Sequence, residues 1–379
     1  MVSSVLNWEE VQLKDISELK YGKSPKDIKV QSSDFPIYGT SGLNGYARKP
    51  LFNGPLILIG RKGTIDKPLY IKEDCWIIDT AFGLFHNKEK VDLKWLYYFL
   101  DHYKLERLNE ATGVPSLSKT NLNTISISLP TKNEQHKIAA ILSSVDDAIE
   151  KTEAIIEQTE KVKKGLMQQL LTKGIGHTKF KKTEMGEIPV EWELKKLEQI
   201  VDILDGQRRP IKKADRDLID GDIPYYGASG IIDWVNDFIF NEPLILVAED
   251  GENLRSRSLP VAFRIEGKTW VNNHAHILRP SNININFLEI YLESINYESY
   301  ITGSAQPKLN QKSLRNILIA YPSIKEQQKI ASVIMSFTSK ISLESKKLER
   351  LKEMKRGLMQ VLLTGKVRVK VNESEVTNT

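Results

Sequence analysis

The chain has 379 residues, 40% of them hydrophobic and 27% charged, with a formal net charge of +5. That length has room for two or three domains with their own cores, and the balance is ordinary for a soluble globular protein. The mild basic excess is compatible with nucleic acid but does not point to it alone, the single cysteine (Cys75) excludes an intramolecular disulfide, and no apolar run nears the roughly 20 residues of a membrane span.

Residues 1–8 lack a charged stretch followed by an apolar one, so no signal peptide is expected, and a reducing cytoplasm is the expected compartment. From Trp8 to residue 16 the chain alternates as a strand does. Pro36-Ile37-Tyr38-Gly39-Thr40-Ser41-Gly42 and Asn53-Gly54-Pro55-Leu56-Ile57-Leu58 are short apolar runs punctuated by Gly, Pro and Asn, as strands with turns are. Cys75 sits beside Trp76 in an apolar run and reads as a small core residue. Residues 93–100 look helical; Thr112-Gly113 precedes a loop that leads to a strand ending at Pro130. Residues 134–172 hold no proline and a single glycine near their end, and their apolar residues follow a heptad. Residues 173–190, rich in Gly, Lys and Thr, read as a linker ending in Met185-Gly186-Glu187-Ile188-Pro189.

The chain then says much the same again. Trp192 leads a segment like that of Trp8, Pro224-Tyr225-Tyr226-Gly227-Ala228-Ser229-Gly230 answers the run from Pro36, and Asn241-Glu242-Pro243-Leu244-Ile245-Leu246 answers the run from Asn53. Residues 287–294 look helical, and Thr302-Gly303 again precedes a loop leading to a strand that ends at Pro322. Glu134-Gln135-His136-Lys137-Ile138-Ala139 returns as Glu326-Gln327-Gln328-Lys329-Ile330-Ala331, and Gly165-Leu166-Met167-Gln168-Gln169-Leu170-Leu171-Thr172 as Gly357-Leu358-Met359-Gln360-Val361-Leu362-Leu363-Thr364, both at an offset of 192. The loops differ between copies: Arg61-Lys62-Gly63-Thr64 stands opposite Glu249-Asp250-Gly251-Glu252. A repeat this long is two domain-sized copies with pseudo-two-fold symmetry, not a solenoid.

The expected fold is therefore two mixed α/β (α+β) globules separated by a long antiparallel two-helix coiled coil. Its divisions are globule 1 at 1–133, helix 1 at 134–172, a linker at 173–190, globule 2 at 191–325, helix 2 at 326–366 and a frayed tail at 367–379. Each helix would be about 58 Å long. An apolar stripe of that length must be buried, and one chain already supplies both halves of a pair. Lys163 and Lys355 fall at equivalent seam positions, which is odd for a purely structural seam.

Two diverged globules alternating with two similar helices that begin EQxKIA and end GLMQxLLT, joined through MGEIPxxW, resemble the specificity subunits of type I restriction–modification systems. The resemblance spans nearly the whole chain, including its order of parts. It implies target-recognition domains that each read one half of a bipartite, asymmetric site on double-stranded DNA. It implies helices that set the spacing and dock two modification (methyltransferase) subunits, with restriction (translocase–nuclease) subunits joining that core. The chain itself would catalyse nothing and bind no cofactor; S-adenosylmethionine, ATP and magnesium would belong to the partner subunits. A specificity subunit of a methylation-only or type IIB-like system, and a coiled-coil scaffold whose globules bind protein, stay open as alternatives.

The residues agree with a binding role. There is no Pro-Pro of a base-handling methyltransferase motif and no phosphate-binding Gly-x-x-x-x-Gly-Lys-Ser/Thr loop. Glu18-Leu19-Lys20 and Glu193-Leu194-Lys195 have the spacing of a nuclease motif but no convincing upstream aspartate, and read as solvated surface. His274-Ala275-His276 lacks the companions a metal site needs and reads as packing, hydrogen bonding or DNA surface. Phosphate contacts need Lys and Arg, and base reading needs Arg, Lys, Asn, Gln, Ser or Thr on exposed elements. The candidates are Lys20, Lys23, Lys26, Arg48, Lys49, Arg61, Lys62, Ser118 and Lys119 in globule 1, and Arg208, Arg209, Lys212, Lys213, Arg255, Arg257, Gln306, Lys308 and Asn310 in globule 2. Segments that match while the readers differ suit two identical partners, so Glu134, Gln135, Lys164, Gln168, Glu326, Gln327, Arg356 and Gln360 are the expected docking residues.

Overall fold

The computed structural model describes residues 8–303 and 306–370. They form two compact units: unit 1 holds 8–154 with 345–370, and unit 2 holds 155–344. The fold is mixed α/β with two long helices, Lys132–Lys173 and Ile324–Leu362, each starting two residues earlier than its repeat suggests. Both helices contribute to both units, so the units do not follow the division into globules and helices drawn from the sequence.

One plan serves both units. In unit 1 an antiparallel sheet runs in the order Ser17–Tyr21, Ala81–His86, Leu56–Gly60, Leu69–Ile71; in unit 2 its counterpart runs Val201–Ile203, Ala275–Pro280, Leu244–Ala248, Ala262–Ile265. The all-apolar runs LILIG and LILVA form interior strands of these sheets, buried at all five positions. Alternate side chains go to opposite faces. Ile57 and Ile59 join the core that holds the Leu93–Tyr103 helix, while Leu56 and Leu58 meet Cys75 and Ile77. Ile245 and Val247 divide from Leu244 and Leu246 in the same way. A second sheet in each unit includes a parallel pair, Phe35–Gly39 with Trp76–Ile77 and Ile223–Gly227 with Lys268–Val271.

The helices Leu93–Tyr103 and Ile285–Ser294 start at equivalent caps: Asp92 accepts from the Trp95 amide and Asn284 from the Phe287 amide. Such caps satisfy amides that the first helical turn leaves without partners. Each long helix is then latched to its own globule. Trp8 Nε1 donates to Glu134 and Trp192 Nε1 to Glu326, at 3.3 and 3.0 Å. Gln135 donates to the Pro130 carbonyl and accepts from the Asp92 amide; Gln327 does the same with Pro322 and Asn284. The equal pairing fixes the offset of 192 in space as well as in sequence.

The heptad stripe has two uses. Ile138, Ala139 and Leu142 enter the unit 1 core with Met359, Leu362 and Leu363, and Ile330, Ala331 and Ile334 enter the unit 2 core with Leu170 and Leu171. Thr152 and Thr159 are buried, and their hydroxyls donate to the carbonyls of Ala148 and Ile155 one turn back. The expected linker is ordered: Phe180–Thr183 and Gly186–Pro189 form a hairpin, and Ile188 packs in the unit 2 core. The expected tail is fastened where Arg368 pairs with Glu134 at 2.7 Å; residues 371–379 lie outside the described residues, as do 1–7. Among the described residues no helix is long and apolar enough to cross a membrane.

Candidate nucleic-acid interface

In each unit the loop after the central strand is tied to the loop that leads into a short helix. Gly63 N donates to the Pro115 carbonyl, and Leu117 N to the Arg61 carbonyl, both at 2.9 Å. In unit 2 Gly251 N donates to Pro307 at 3.1 Å and Leu309 N to Glu249 at 2.8 Å. Arg61 N and Glu249 N reach a third loop, at the carbonyls of Thr80 and His274. Gly63 and Gly251 have φ of 87° and 103°, a left-handed backbone that favours glycine. The two clusters thus share a backbone on which the side chains differ.

In unit 1 the cluster is cationic and largely free. Arg61 lies over the Tyr21 ring, 5.4 Å from its centroid, and donates to the Asp79 carbonyl. Tyr21 itself packs on Phe82 at 5.0 Å. Lys62, Lys23, Lys26, Arg48 and Lys49 are exposed and form no ion pair among the described residues, nor does the half-buried Lys119. Lys20 pairs with Glu18 at 3.3 Å. Arg48 follows the Gly42–Ala47 strand, its amide bonded to the Ile28 carbonyl, which brings Arg48 beside the segment that carries Lys26. Ser118 caps the Lys119–Asn123 helix by accepting from the Asn121 amide, and it donates to Glu110. That hydroxyl is already engaged in folding.

In unit 2 the equivalent place holds a buried ion network. His276, 1% exposed, sets Nδ1 2.7 Å from an Asp205 carboxylate oxygen and Nε2 2.7 Å from the Leu309 carbonyl. Asp205 also accepts from the Ile277 amide and Gln311. Arg208 donates to the Asp205 carbonyl and pairs with Glu249, which Lys308 meets at 3.3 Å. Burial pushes both carboxyls up, but His276 and the Ile277 amide outweigh it at Asp205, and Arg208, His276 and Lys308 at Glu249, so both are held below the usual carboxylate range. The sequence reading missed Asp205 and Glu249; their signal is a carboxylate where the first copy has Tyr21 and Arg61.

This network corrects several expected readers. Arg208 is spent within the fold. Arg257 donates to the carbonyls of Ile295 and Glu293 and pairs with the Glu293 carboxylate, and Arg255 reaches Glu298 and the Gly303 carbonyl. The dense Arg255-Ser256-Arg257 cluster therefore staples its loop to the end of the Ile285–Ser294 helix. Asn310 caps the Gln311–Arg315 helix at the Ser313 amide, as Ser118 does in unit 1. Arg209, Lys212, Lys213 and Gln306 remain exposed, and Lys308, although paired, is half exposed. His274 pairs with Asp250 at 2.9 Å; among the described residues no group of His, Cys, Asp and Glu is placed to hold a metal ion.

The expected docking residues divide by burial. Glu134, Gln135 and Gln327 are buried in the latches, and Glu326 is held by Trp192, His177 and the Ile175 amide, so these four serve the folds of their own units. At Glu134 burial acts upward, but Arg368 and Thr131 prevail and hold the carboxyl low. Lys164, Gln168, Arg356 and Gln360 are exposed on the long helices.

A family model described as a type I restriction modification DNA specificity domain matches residues 6–161 and again 189–353. The chain is 28% identical to the specificity subunit of the type I restriction enzyme MjaVIII of Methanocaldococcus jannaschii, covering 96% of this chain and 94% of that one. It is 31% identical to the putative type I restriction enzyme MjaX specificity subunit of the same organism, over 75% of this chain and 70% of the relative. Among solved structures, the S subunit of a type I restriction–modification system from M. genitalium superposes with a TM-score of 0.70 at 18% identity, covering 98% of this chain and 99% of that one. A chain from a study of complex assembly and conformational transition in the type I system superposes at 0.55 with 12% identity, covering 95% and 99%.

Proposed function

The chain belongs to the type I restriction–modification DNA specificity family, and on that premise we propose that each unit reads one half of a bipartite, asymmetric DNA site. The observation that supports this reading most is the pair of loop clusters: one backbone, Gly63 with Pro115 and Gly251 with Pro307, carries Arg61-Lys62 in one unit and Glu249-Asp250 in the other. Direct readout depends on which donors and acceptors a loop offers to base edges. Two such loops on one frame select two unlike half-sites. In unit 1 Arg61 and Lys62 face the base edges while Lys23, Lys26, Arg48 and Lys49 hold phosphates; in unit 2 Arg209, Lys212, Lys213, Gln306 and Lys308 do this work.

The long helices run as one antiparallel coiled coil that sets the separation of the half-sites. Lys164, Gln168, Arg356 and Gln360 dock two methyltransferase subunits, and translocase–nuclease subunits join that core. The chain is non-catalytic: S-adenosylmethionine is held by the methyltransferase subunits, and ATP and magnesium by the restriction subunits.

Methylome sequencing of a host with and without this gene, its methyltransferase gene kept active, tests the reading. The expected result is methylation at one split, asymmetric motif that disappears on deletion. An unchanged methylome with active methyltransferase would overturn it.

A further inference from the structure

The seam lysines stand in opposite surroundings. In unit 1 Lys355 pairs with Asp146 at 2.8 Å and lies over the Tyr98 ring, 5.6 Å from its centroid. Tyr98, on the Leu93–Tyr103 helix, donates to the same carboxylate at 2.6 Å, which closes a three-membered cluster with the two long helices. Unit 2 repeats the frame without the cluster. At the offset fixed by the Gln135 and Gln327 latches, Lys355 corresponds to Lys163, Asp146 to Thr338, Tyr98 to Ile290 and His102 to Ser294. Every exchange removes a charge, a hydroxyl or bulk. The result is a cavity of about 700 Å³ lined by Lys163, Lys164, Met167, Leu171, Thr338 and Ile341, adjoined by a second of about 380 Å³ that shares Lys163 and reaches Ile290. Lys163 has no ion pair among the described residues. The nearby Glu293 carboxylate is committed to the Val261 and Ala262 amides and to Arg257.

Resting on the docking reading above, we propose that the cavity around Lys163 is a single-copy anchor for a protein partner, filled by an aspartate or glutamate flanked by an aromatic or aliphatic side chain of a methyltransferase subunit. Unit 1 shows the chemistry that this position accepts, because Asp146 and Tyr98 fill it from within. Unit 2 offers the cation and an apolar wall; of the carboxylates that line it, Glu160 is exposed, Glu289 accepts from the Arg264 amide and Glu293 is committed as above, so none pairs with Lys163, and Lys164 adds positive charge to the rim. A half-buried lysine such as Lys163 is stabilised by an acceptor that brings negative charge. Two identical partners therefore meet unlike positions: one gains an anchor at unit 2, while the other finds Lys355 already satisfied. The two docking events differ in affinity, and unit 2 loads first.

The test titrates the full chain with the methyltransferase subunit of its own system by isothermal titration calorimetry. Wild-type chain should show two events of different affinity. The double variant Ile290→Tyr with Thr338→Asp gives Lys163 the internal partners of Lys355, and should keep its thermal midpoint while the tighter event weakens by about tenfold or more. Lys163→Gln should weaken the same event without filling the cavity. Lys355→Met should lower thermal stability and leave the tighter event intact. If the double variant folds and binds both subunits as wild type does, or if it fails to fold and Lys163→Gln binds unchanged, the anchor is overturned. Wild-type chain that binds no methyltransferase subunit would instead remove the docking reading on which the anchor rests.

Discussion

Where unit 1 packs Tyr21 against Phe82 beneath the Arg61 guanidinium, unit 2 sets Asp205 against His276 and gathers Arg208 and Lys308 around Glu249. The strands that lead into Tyr21 and Asp205 pair antiparallel with the strands of Phe82 and His276 in both units. One frame is held by apolar contact and the other by ions, and the choice limits what each can offer a ligand. Apolar packing leaves Lys62 without an ion pair among the described residues. The ion network takes its cations from the same loops, because a buried carboxylate is tolerable only when it is paired. A count of basic residues therefore overstates the positive surface of unit 2.

The sharpest way to break this comparison is to remove one member of the network. Asp205→Ala strands His276, Gln311 and the Ile277 amide, and should cost unit 2 about 3–5 kcal/mol. Hydrogen exchange should show the loss confined to unit 2. Asp205→Tyr combined with His276→Phe transplants the pair of unit 1 and should recover most of it. A transplant no better than Asp205→Ala would mean that the two solutions are not interchangeable.

A smaller effect tests where the units agree. Glu134→Gln and Glu326→Gln each weaken hydrogen bonds from an indole and from a second side chain, Arg368 or His177, and should each cost about 1.5–3 kcal/mol in urea unfolding. Equal losses would sharpen the equivalence of the latches, and one silent substitution would break it.

The smallest effect is pH. Asp205 and Glu249 titrate lower when folded than when unfolded, so their stabilisation is complete above the ordinary carboxylate range and fades as pH falls through their folded values. The loop cluster of unit 1 has Tyr21 and Arg61 in their place. Amide exchange measured from neutral pH downwards should show the loops at 249–252 and 306–311 opening before those at 61–64 and 112–118. Simultaneous opening would deny the network its role.

Much of the frame was legible because repetition marks it. The matched runs around Leu56 and Leu244, Glu134 and Glu326, and Gly165 and Gly357 all proved to be shared structure. The same repetition misled at Gln135 and Gln327: a segment repeats when two globules need the same latch, just as it does when two identical partners bind. Arg255 and Arg257 were misread because their partners Glu298 and Glu293 lie some 40 residues on, beyond any local pattern. The Asp205 network was invisible for a related reason. Its members come from four separate segments, and the drift of the repeat offset hides that Asp205 stands for Tyr21.

The division of the chain also has a consequence for its synthesis. Unit 2 is one continuous stretch, 155–344, whereas the core of unit 1 takes Met359, Leu362 and Leu363 from the last helical turns. A chain leaving the ribosome completes its second unit before its first, because domains close as units once all their parts have emerged. The first-made globule waits, with the surface around Ile138 and Leu142 uncovered, until the final helix arrives to cap it.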